Sequence, residues 1–359
     1  PDGFVHNGTE QNVQYVYVDQ NTPVVVESVE FINERQKVEI SVEKQDAENG
    51  STIAGAEFGL YAKEDIKAGE KVIVKADEQL CTAVTGDDGT AVFEQDLPFG
   101  SYYIKELQAP DGFVSSDEII EVTVSYQGQD VEVVRLKEIF KNQPTTVEFT
   151  KSDLTTGVEL DGATLTVFDK DGNEIDKWTS VKGEPHIIKR LHVGETYTLR
   201  EEFAPYGYLK AEEVEFTITD TAEIQKVEMK DDVPIGRIII NKKGEFLSEV
   251  TWNEMVAGAM DSIWDYVTGS LKDVTFEIYA REDVKAADGE SDDYYKKDEL
   301  VATITTDELG FARSDDLPLG KYYVVEKETA NGFVLDGEPR DIDLTYRDQD
   351  TPVVTYDSE

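Results

Sequence analysis

One arrangement of residues occurs three times along the 359-residue chain, and it constrains the fold more than any local propensity does, because a repeated unit fixes both the number and the kind of domains. Leu97-Pro-Phe-Gly100-Ser-Tyr102-Tyr-Ile104-Lys-Glu106, followed by Ala109-Pro110-Asp-Gly112-Phe113, is matched twice further on. The second copy is Leu191-His-Val-Gly194 through Tyr197, Leu199 and Glu201 to Ala204-Pro205-Tyr-Gly207-Tyr208. The third is Leu317-Pro-Leu-Gly320 through Tyr322, Val324 and Glu326 to Thr329-Ala330-Asn-Gly332-Phe333. The shared frame is Tyr-x-aliphatic-x-Glu, then a small-residue or Pro pair, then Gly-aromatic.

Upstream of each frame an aliphatic run ends in lysine: Val38-x-Ile40-x-Val42-x-Lys44, Val147-x-Phe149-x-Lys151 and Ile238-x-Ile240-x-Lys242. A small-x-apolar segment follows, with Phe58 and Leu165 each 14 positions after their lysine. The equivalent Phe276 comes 34 positions after Lys242, so about 20 residues are inserted in the third repeat. Downstream, a further run ends in apolar-x-Asn or apolar-x-Asp, at Phe140-Lys-Asn142 and Met229-Lys-Asp231. The chain start fits the same template, since Asn33 follows Pro1 by the 32 positions that separate Asn142 from Pro110. The same count from Ala330 gives 362, just past the last residue, as expected of an excerpt. Asp19-Gln-Asn-Thr-Pro-Val-Val25 also echoes Asp348-Gln-Asp-Thr-Pro-Val-Val354, which suggests a larger repeating unit. The expected divisions are residues 1–35, the end of a preceding repeat; 36–143; 144–233; and 234–359, truncated before its last strand ends.

Between turn signals such as Asp87-Asp-Gly89, Asp171-Gly-Asn173 and Asp111-Gly112, residues alternate apolar and polar with period 2. That pattern predicts half-buried antiparallel strands, and several short strands per repeat predict an all-β chain of tandem β-sandwiches. The links Asn142-Gln-Pro144 and Asp232-Val-Pro234 are short and contain proline, which predicts a semi-rigid rod. One stretch departs from period 2. Leu247, Val250, Met255, Val256, Met260, Ile263, Trp264, Val267 and Leu271 recur at spacings near 3 and 4, predicting a helical insertion over about 245–272 of the third repeat. Such a helix either packs over its own sandwich or, with Trp252 and Tyr266 nearby, presents a surface to a partner.

Strand parity turns the repeat into chemistry. Side chains at i, i+2 and i+4 share a face, so Glu106 points with Tyr102 and Ile104, Lys44 with Ile40 and Val42, and Asn142 with Phe140. An amine, a carboxyl and a carboxamide entering one apolar interior are costly unless paired or reacted. Burial disfavours charged forms, so an amine becomes nucleophilic and a carboxyl keeps its proton. A neutral amine can then attack a side-chain carbonyl while the acid polarises it and carries protons, giving an isopeptide bond and releasing ammonia from Asn or water from Asp. In a chain with 77 acidic residues a Glu beside a Lys is ordinarily a solvated pair worth about 1 kcal/mol or less. Recurrence at matching offsets argues against that here.

The arrangement resembles the Cna-B family of surface-protein modules, and the Tyr-x-Leu-x-Glu-x-x-Ala-Pro-x-Gly-Tyr string resembles the E-box of sortase-assembled pilins and Gram-positive adhesin stalks. The resemblance covers the chain apart from the insertion. It implies tandem inverse-immunoglobulin-like sandwiches, each with an autocatalytic Lys-Asn or Lys-Asp crosslink between first and last strands. Carried over by position, repeat one uses Lys44, Glu106 and Asn142. Repeat two uses Lys151, Glu201 and an Asp in place of the commoner Asn; Asp231 is favoured over Asp232 because Val227 and Met229 share its parity. Repeat three has Lys242 and Glu326 without an acceptor, and Thr329-Ala330 replaces Ala-Pro. Asn33 is an acceptor without its Lys and Glu.

Composition removes other classes. The net charge of −43 repels nucleic acid and anionic membrane surfaces, and no apolar run is long enough to span a bilayer. Cys81 is the single cysteine, so no intrachain disulfide forms; His6, His186 and His192 have neither metal nor triad spacing, and no cofactor is expected. Asp169-Lys-Asp171-Gly-Asn173 resembles a calcium loop, but its glycine is misplaced and Ser180 stands where a bidentate Glu belongs, so it reads as a hairpin turn. The expectation is a non-enzymatic, extracellular stalk of a bacterial surface adhesin or pilin-like protein, with neighbouring repeats as partners. The alternatives are a module binding a host protein or glycan through the helical insertion, and accessory β-modules of a secreted enzyme.

Overall fold

The computed structural model describes residues 4–5, 8–254 and 260–358. Every regular element among them is a strand, and none is a helix long and apolar enough to cross a membrane. Pro1, His6, Met255 and Val256 lie outside the described residues. Residues 8–34 form no strand and are almost entirely exposed, Asn33 among them.

The chain divides into two compact units. One comprises Pro1–Val147, Ile188–Glu195 and Thr217–Gln225; the other comprises Glu148–Ile187, Thr196–Phe216 and Lys226–Glu359. In the first unit, repeat one builds two sheets. A four-stranded sheet runs Gln79–Val84, Glu57–Ala62, Gly100–Gln108, Ile119–Val124, and a three-stranded sheet runs Thr90–Phe93, Lys37–Asp46, Val133–Asn142. The first strand, Lys37–Asp46, shows why period 2 was the right signal. Its residues 38, 40, 42, 44 and 46 are all buried, in a core with Phe58, Leu60, Tyr102, Ile104 and Phe140. This strand pairs in parallel with the last, from Lys37 opposite Val133 to Asp46 opposite Asn142. First and last strands thus lie side by side, and Lys44 and Asn142 reach the same end of the pair.

The Gly-aromatic end of the frame has a backbone reason. Gly112 sits at φ +80°, and a Cβ there would come within 2.6 Å of the Arg190 carbonyl oxygen. Gly207 and Gly332 also have positive φ, which non-glycine residues rarely adopt.

In the second unit the strands Glu174–Thr179, Thr164–Phe168, Thr196–Phe203 and Val214–Thr217 form one sheet, and Thr146–Asp153 neighbours Gln225–Asp231 in another. Repeat three places Leu300–Thr305, Thr275–Ala280, Gly320–Glu328 and Arg340–Leu344 in a four-stranded sheet. Its first strand, Ile235–Asn241, pairs in parallel with Val353–Ser358. The Asp169 carboxylate accepts hydrogen bonds from the backbone N–H groups of Asp171 and Asn173 and from the Asn173 amide. The loop is therefore a turn closed on itself.

The insertion is a correction. Instead of a helix, Lys243–Glu254 and Met260–Ser270 form a two-stranded antiparallel hairpin. Its β-branched and aromatic residues favour strands, and pairing of the two halves outweighs the helical spacing. Register puts Leu247 opposite Tyr266 and Val250 opposite Trp264, with Trp252 two residues along, so these five side chains share one face. Trp252 and Trp264 are 62% and 52% exposed, so the hairpin leaves both in solvent, while Phe246 packs edge-on against Phe333 at a ring distance of 5.4 Å. Leu271, just past the hairpin, does enter the core of repeat three.

Candidate crosslink sites

In repeat one the Lys44 amine donates to Asn142 Oδ1 at 2.5 Å and lies 2.8 Å from Glu106 Oε1. The Asn142 amide in turn donates to both Glu106 oxygens at 2.9 Å. Glu106 therefore spans the amine and the nitrogen that would leave. The Lys44 and Glu106 side chains are 0% and 1% exposed, and the lysine is flanked by the rings of Phe58 and Phe140. Burial pushes the Lys44 amine below the ordinary lysine range, with Glu106 pulling the other way. A lowered amine pKa raises the fraction able to attack a carbonyl.

Repeat two brings together Lys151, Glu201 and Asp231, all buried. Lys151 donates to Asp231 Oδ1 and lies 3.0 Å from Glu201 Oε1. Asp232, the competing acceptor by sequence, is exposed. Burial pushes the Asp231 carboxyl well above the ordinary range; Lys151 opposes the rise and neighbouring Glu201 adds to it. Asp231 Oδ2 is buried without a hydrogen-bond partner, and Glu201 Oε1 has only the ion pair to Lys151. A proton kept on one carboxyl supplies the donor that Asp231 Oδ2 lacks, and a protonated Asp is the form that can lose water.

Repeat three brings together a lysine and a glutamate. Lys242 lies 2.7 Å from Glu326 Oε2 but keeps 21% of its side chain exposed, while Glu326 Oε1 is buried and unpartnered. Beside them is a cavity of about 100 Å³. Asn33 is exposed on residues 8–34.

Two features that hold the glutamates were not read from the sequence. In each repeat a β-bulge falls beside the apolar residue facing the glutamate: Phe58 opposite Glu106, Leu165 opposite Glu201 and Phe276 opposite Glu326. A bulge re-aims a side chain, and here it does so at the same place each time. In addition, the Ser116 and Ala211 backbone N–H groups, each ten residues after its glutamate, donate to Glu106 Oε2 at 2.9 Å and Glu201 Oε2 at 2.7 Å. The only sequence trace of those donors is a constant offset at positions with no shared residue type. Among the described residues no cluster of His, Cys, Asp or Glu could hold a metal ion.

The model of the SpaA-type prealbumin-like fold domain matches residues 38–138, 145–233 and 264–359. The chain belongs to this SpaA family. One matched segment falls within each of the three repeats, and the Cna-B or pilin-type resemblance seen in the frame residues agrees with them. No curated protein matches the chain. Among solved structures the TIE protein of Bacillus anthracis is similar in fold, with a TM-score of 0.53 and 23% identity over 91% of this chain and 51% of that one. The SpaA-type chain thus spans about half the length of that relative. Two others are the major pilin subunit BcpA of Bacillus cereus, at 16% identity over 90% and 99% of the two chains with a TM-score of 0.42, and the shaft pilin SpaA of Lactobacillus rhamnosus GG, at 16% over 55% and 97% with a TM-score of 0.26.

Proposed function

We propose that this SpaA-type chain is a structural stalk of a bacterial cell-surface adhesin or pilin-like protein, carried outside the cell and hardened by autocatalytic bonds from Lys44 to Asn142 and from Lys151 to Asp231. The observation that carries the reading is the Glu106 carboxylate touching both the amine and the amide nitrogen in a buried core. In repeat one the Lys44 nitrogen forms a bond to the Asn142 side-chain carbon, the bond from that carbon to Nδ2 breaks, and Glu106 moves the amine proton to the departing ammonia. In repeat two the same attack on protonated Asp231 releases water, with Glu201 as the carrier. Each site turns over once, so this is maturation of a scaffold and not enzymatic turnover. Proximity in the folded core supplies the rate that a bimolecular amidation lacks.

Strand direction supports a mechanical role. Because Lys37–Asp46 and Val133–Asn142 run in parallel, tension entering at Lys37 and leaving past Asn142 shears the pair along its length. A Lys44–Asn142 bond shortens the force path and leaves the chain between two residues 98 positions apart unloaded. The loop closed also lowers the entropy of the unfolded chain, by about 4 to 5 kcal/mol on the disulfide analogy. The second reading, ligand capture through a helical insertion, loses its helix to the hairpin.

Single-molecule pulling tests the stalk. Repeat one should withstand force without releasing the segment between Lys44 and Asn142, whereas Glu106→Ala should release a contour of roughly 300 Å, at ~3.3 Å per residue. Full release from the unsubstituted protein would refute it.

A further inference from the structure

Two residues beyond each crosslink lysine lies a position that the three repeats treat in three ways. It is Asp46 after Lys44, Asp153 after Lys151 and Gly244 after Lys242. Asp46 and Asp153 are 0% and 5% exposed. In both, one carboxylate oxygen accepts the backbone N–H two residues on, of Glu48 at 2.8 Å and of Thr155 at 2.7 Å, and so closes the turn that leaves the strand. The second oxygen needs a donor of its own, because a buried charge is costly unless it is paired. Repeat two supplies that donor internally: the Tyr208 hydroxyl donates to Asp153 Oδ2 at 2.8 Å. Repeat three removes the need, since Gly244 has no side chain and the Phe333 ring fills the space that a Cβ would enter.

Repeat one has neither device. Phe113 occupies the place of Tyr208: its N–H donates to the Pro110 carbonyl as that of Tyr208 does to Pro205, and Val114 meets Gln143 as Leu209 meets Asp232. A phenylalanine has no hydroxyl, and Arg190 takes over. Its guanidinium lies over the Phe113 ring, 5.5 Å from the centroid, and donates to Asp46 Oδ2 at 2.6 Å. The Asn49 amide adds only a long contact to the same oxygen, at 3.4 Å. Arg190 belongs to Ile188–Glu195, a segment of repeat two that is part of the same compact unit as repeat one. Its backbone stands at φ +65°, a conformation uncommon for residues other than glycine, which persists where the surroundings over-determine it. Here the Arg190 N–H donates to the Thr145 carbonyl at 3.0 Å, and the Thr145 hydroxyl donates to the Leu191 carbonyl at 2.6 Å.

Arg190 thereby grips the ends of both strands that carry the reacting groups, since Asp46 lies two residues past Lys44 and Thr145 three past Asn142. Asp46 also stands opposite Asn142 in the parallel pair, and the Ala47 N–H donates to the Asn142 carbonyl. We propose that Arg190 is a positioning residue for the Lys44–Asn142 bond: by pairing with Asp46 it holds the amine-bearing strand against the acceptor strand, so that repeat one matures once residues 188–195 have docked. This rests on the crosslinking reading above. Attack of an amine on a carbonyl is sensitive to misplacement of about 1 Å, so a loosened strand end slows the bond without unfolding the repeat. Repeat two carries the equivalent hydroxyl within itself, on Tyr208, and its bond has no such dependence.

The test uses the 359-residue chain, recovered unfolded in denaturant, refolded by dilution and sampled over time by intact mass and peptide mapping. Arg190→Ala should slow the ammonia loss that joins Lys44 to Asn142 by about tenfold or more, and leave the rate of water loss at Lys151 and Asp231 unchanged. Adding Phe113→Tyr to Arg190→Ala should restore the ammonia loss to near the unsubstituted rate, because it gives Asp46 the hydroxyl donor that Asp153 has. That rescue separates positioning through Asp46 from a general loosening of the fold, which the second substitution would not repair. An Arg190→Ala rate equal to that of the unsubstituted chain overturns the proposal, and so does a slowing that Phe113→Tyr leaves in place or that both bonds share. In each of those cases the unsubstituted chain still loses ammonia, and the crosslinking reading stands. An unsubstituted chain that never loses ammonia overturns both.

Discussion

The Lys44 amine donates to Asn142 Oδ1 at 2.5 Å across 98 positions of sequence. Parallel pairing of the first and last strands makes that contact, and the bulge opposite Glu106 delivers the carboxylate to it. The same three-part geometry recurs around Lys151 with a different acceptor. The shared parts are thus the lysine strand, the glutamate strand and the bulge, while the third group is a carboxamide in one repeat and a carboxyl in the other.

Removing the proton carrier of repeat one should cost the loop-closure term. Glu106→Gln keeps the size of the side chain but cannot carry the proton, so the bond should not form and stability to denaturant should fall by about 4 to 5 kcal/mol. Chemical denaturation of the two proteins compares them directly. An unchanged midpoint would mean that no bond contributes.

The acceptor in repeat two is decided by burial. Asp231→Ala should abolish that crosslink, and Asp232→Ala should leave it intact, since Asp232 is exposed while Asp231 meets Lys151. Peptide mapping after proteolysis distinguishes them, and a Lys151–Asp232 peptide would reverse the assignment.

The two bonds should differ in their pH dependence. The reactive form of repeat two needs a protonated Asp231, whose pKa is raised to about 7 chiefly by burial. Above that pH the site loses the proton that makes hydroxide leave as water, so bond formation after refolding should slow as pH rises from 6 to 9. Asn142 has no such proton to lose, and the lowered Lys44 pKa keeps neutral amine available, so repeat one should not slow over that range. Rates taken by mass at each pH test this; parallel profiles for both bonds would contradict it.

Trp252 and Trp264 project from the hairpin into solvent, so alanine at either should change the stability of the protein by no more than about 0.5 kcal/mol. Thermal melting measures this. A large drop would show that the aromatic face is covered.

Much of the site was legible because strand parity is a strict rule: once Lys44 shares a face with Ile40 and Val42, and Glu106 with Tyr102 and Ile104, their meeting needs only two packed sheets. The hairpin is not legible because Leu247 and Val250, like Trp264 and Val267, stand three apart, which fits helical spacing and breaks strand alternation, and only the register irregularity between Leu247 and Glu249 brings Leu247 and Val250 onto one strand face. The bulges leave no readable signal, and the Ser116 and Ala211 amides leave only a constant ten-residue offset from their glutamates, since both are properties of the backbone.

The measurement closest to the central claim is the intact mass of the denatured chain beside Glu106→Ala and Glu201→Ala. Formation of both proposed bonds predicts a deficit of one ammonia plus one water. Glu106→Ala should restore the ammonia alone and Glu201→Ala the water alone. A mass equal to that of the sequence would contradict the account.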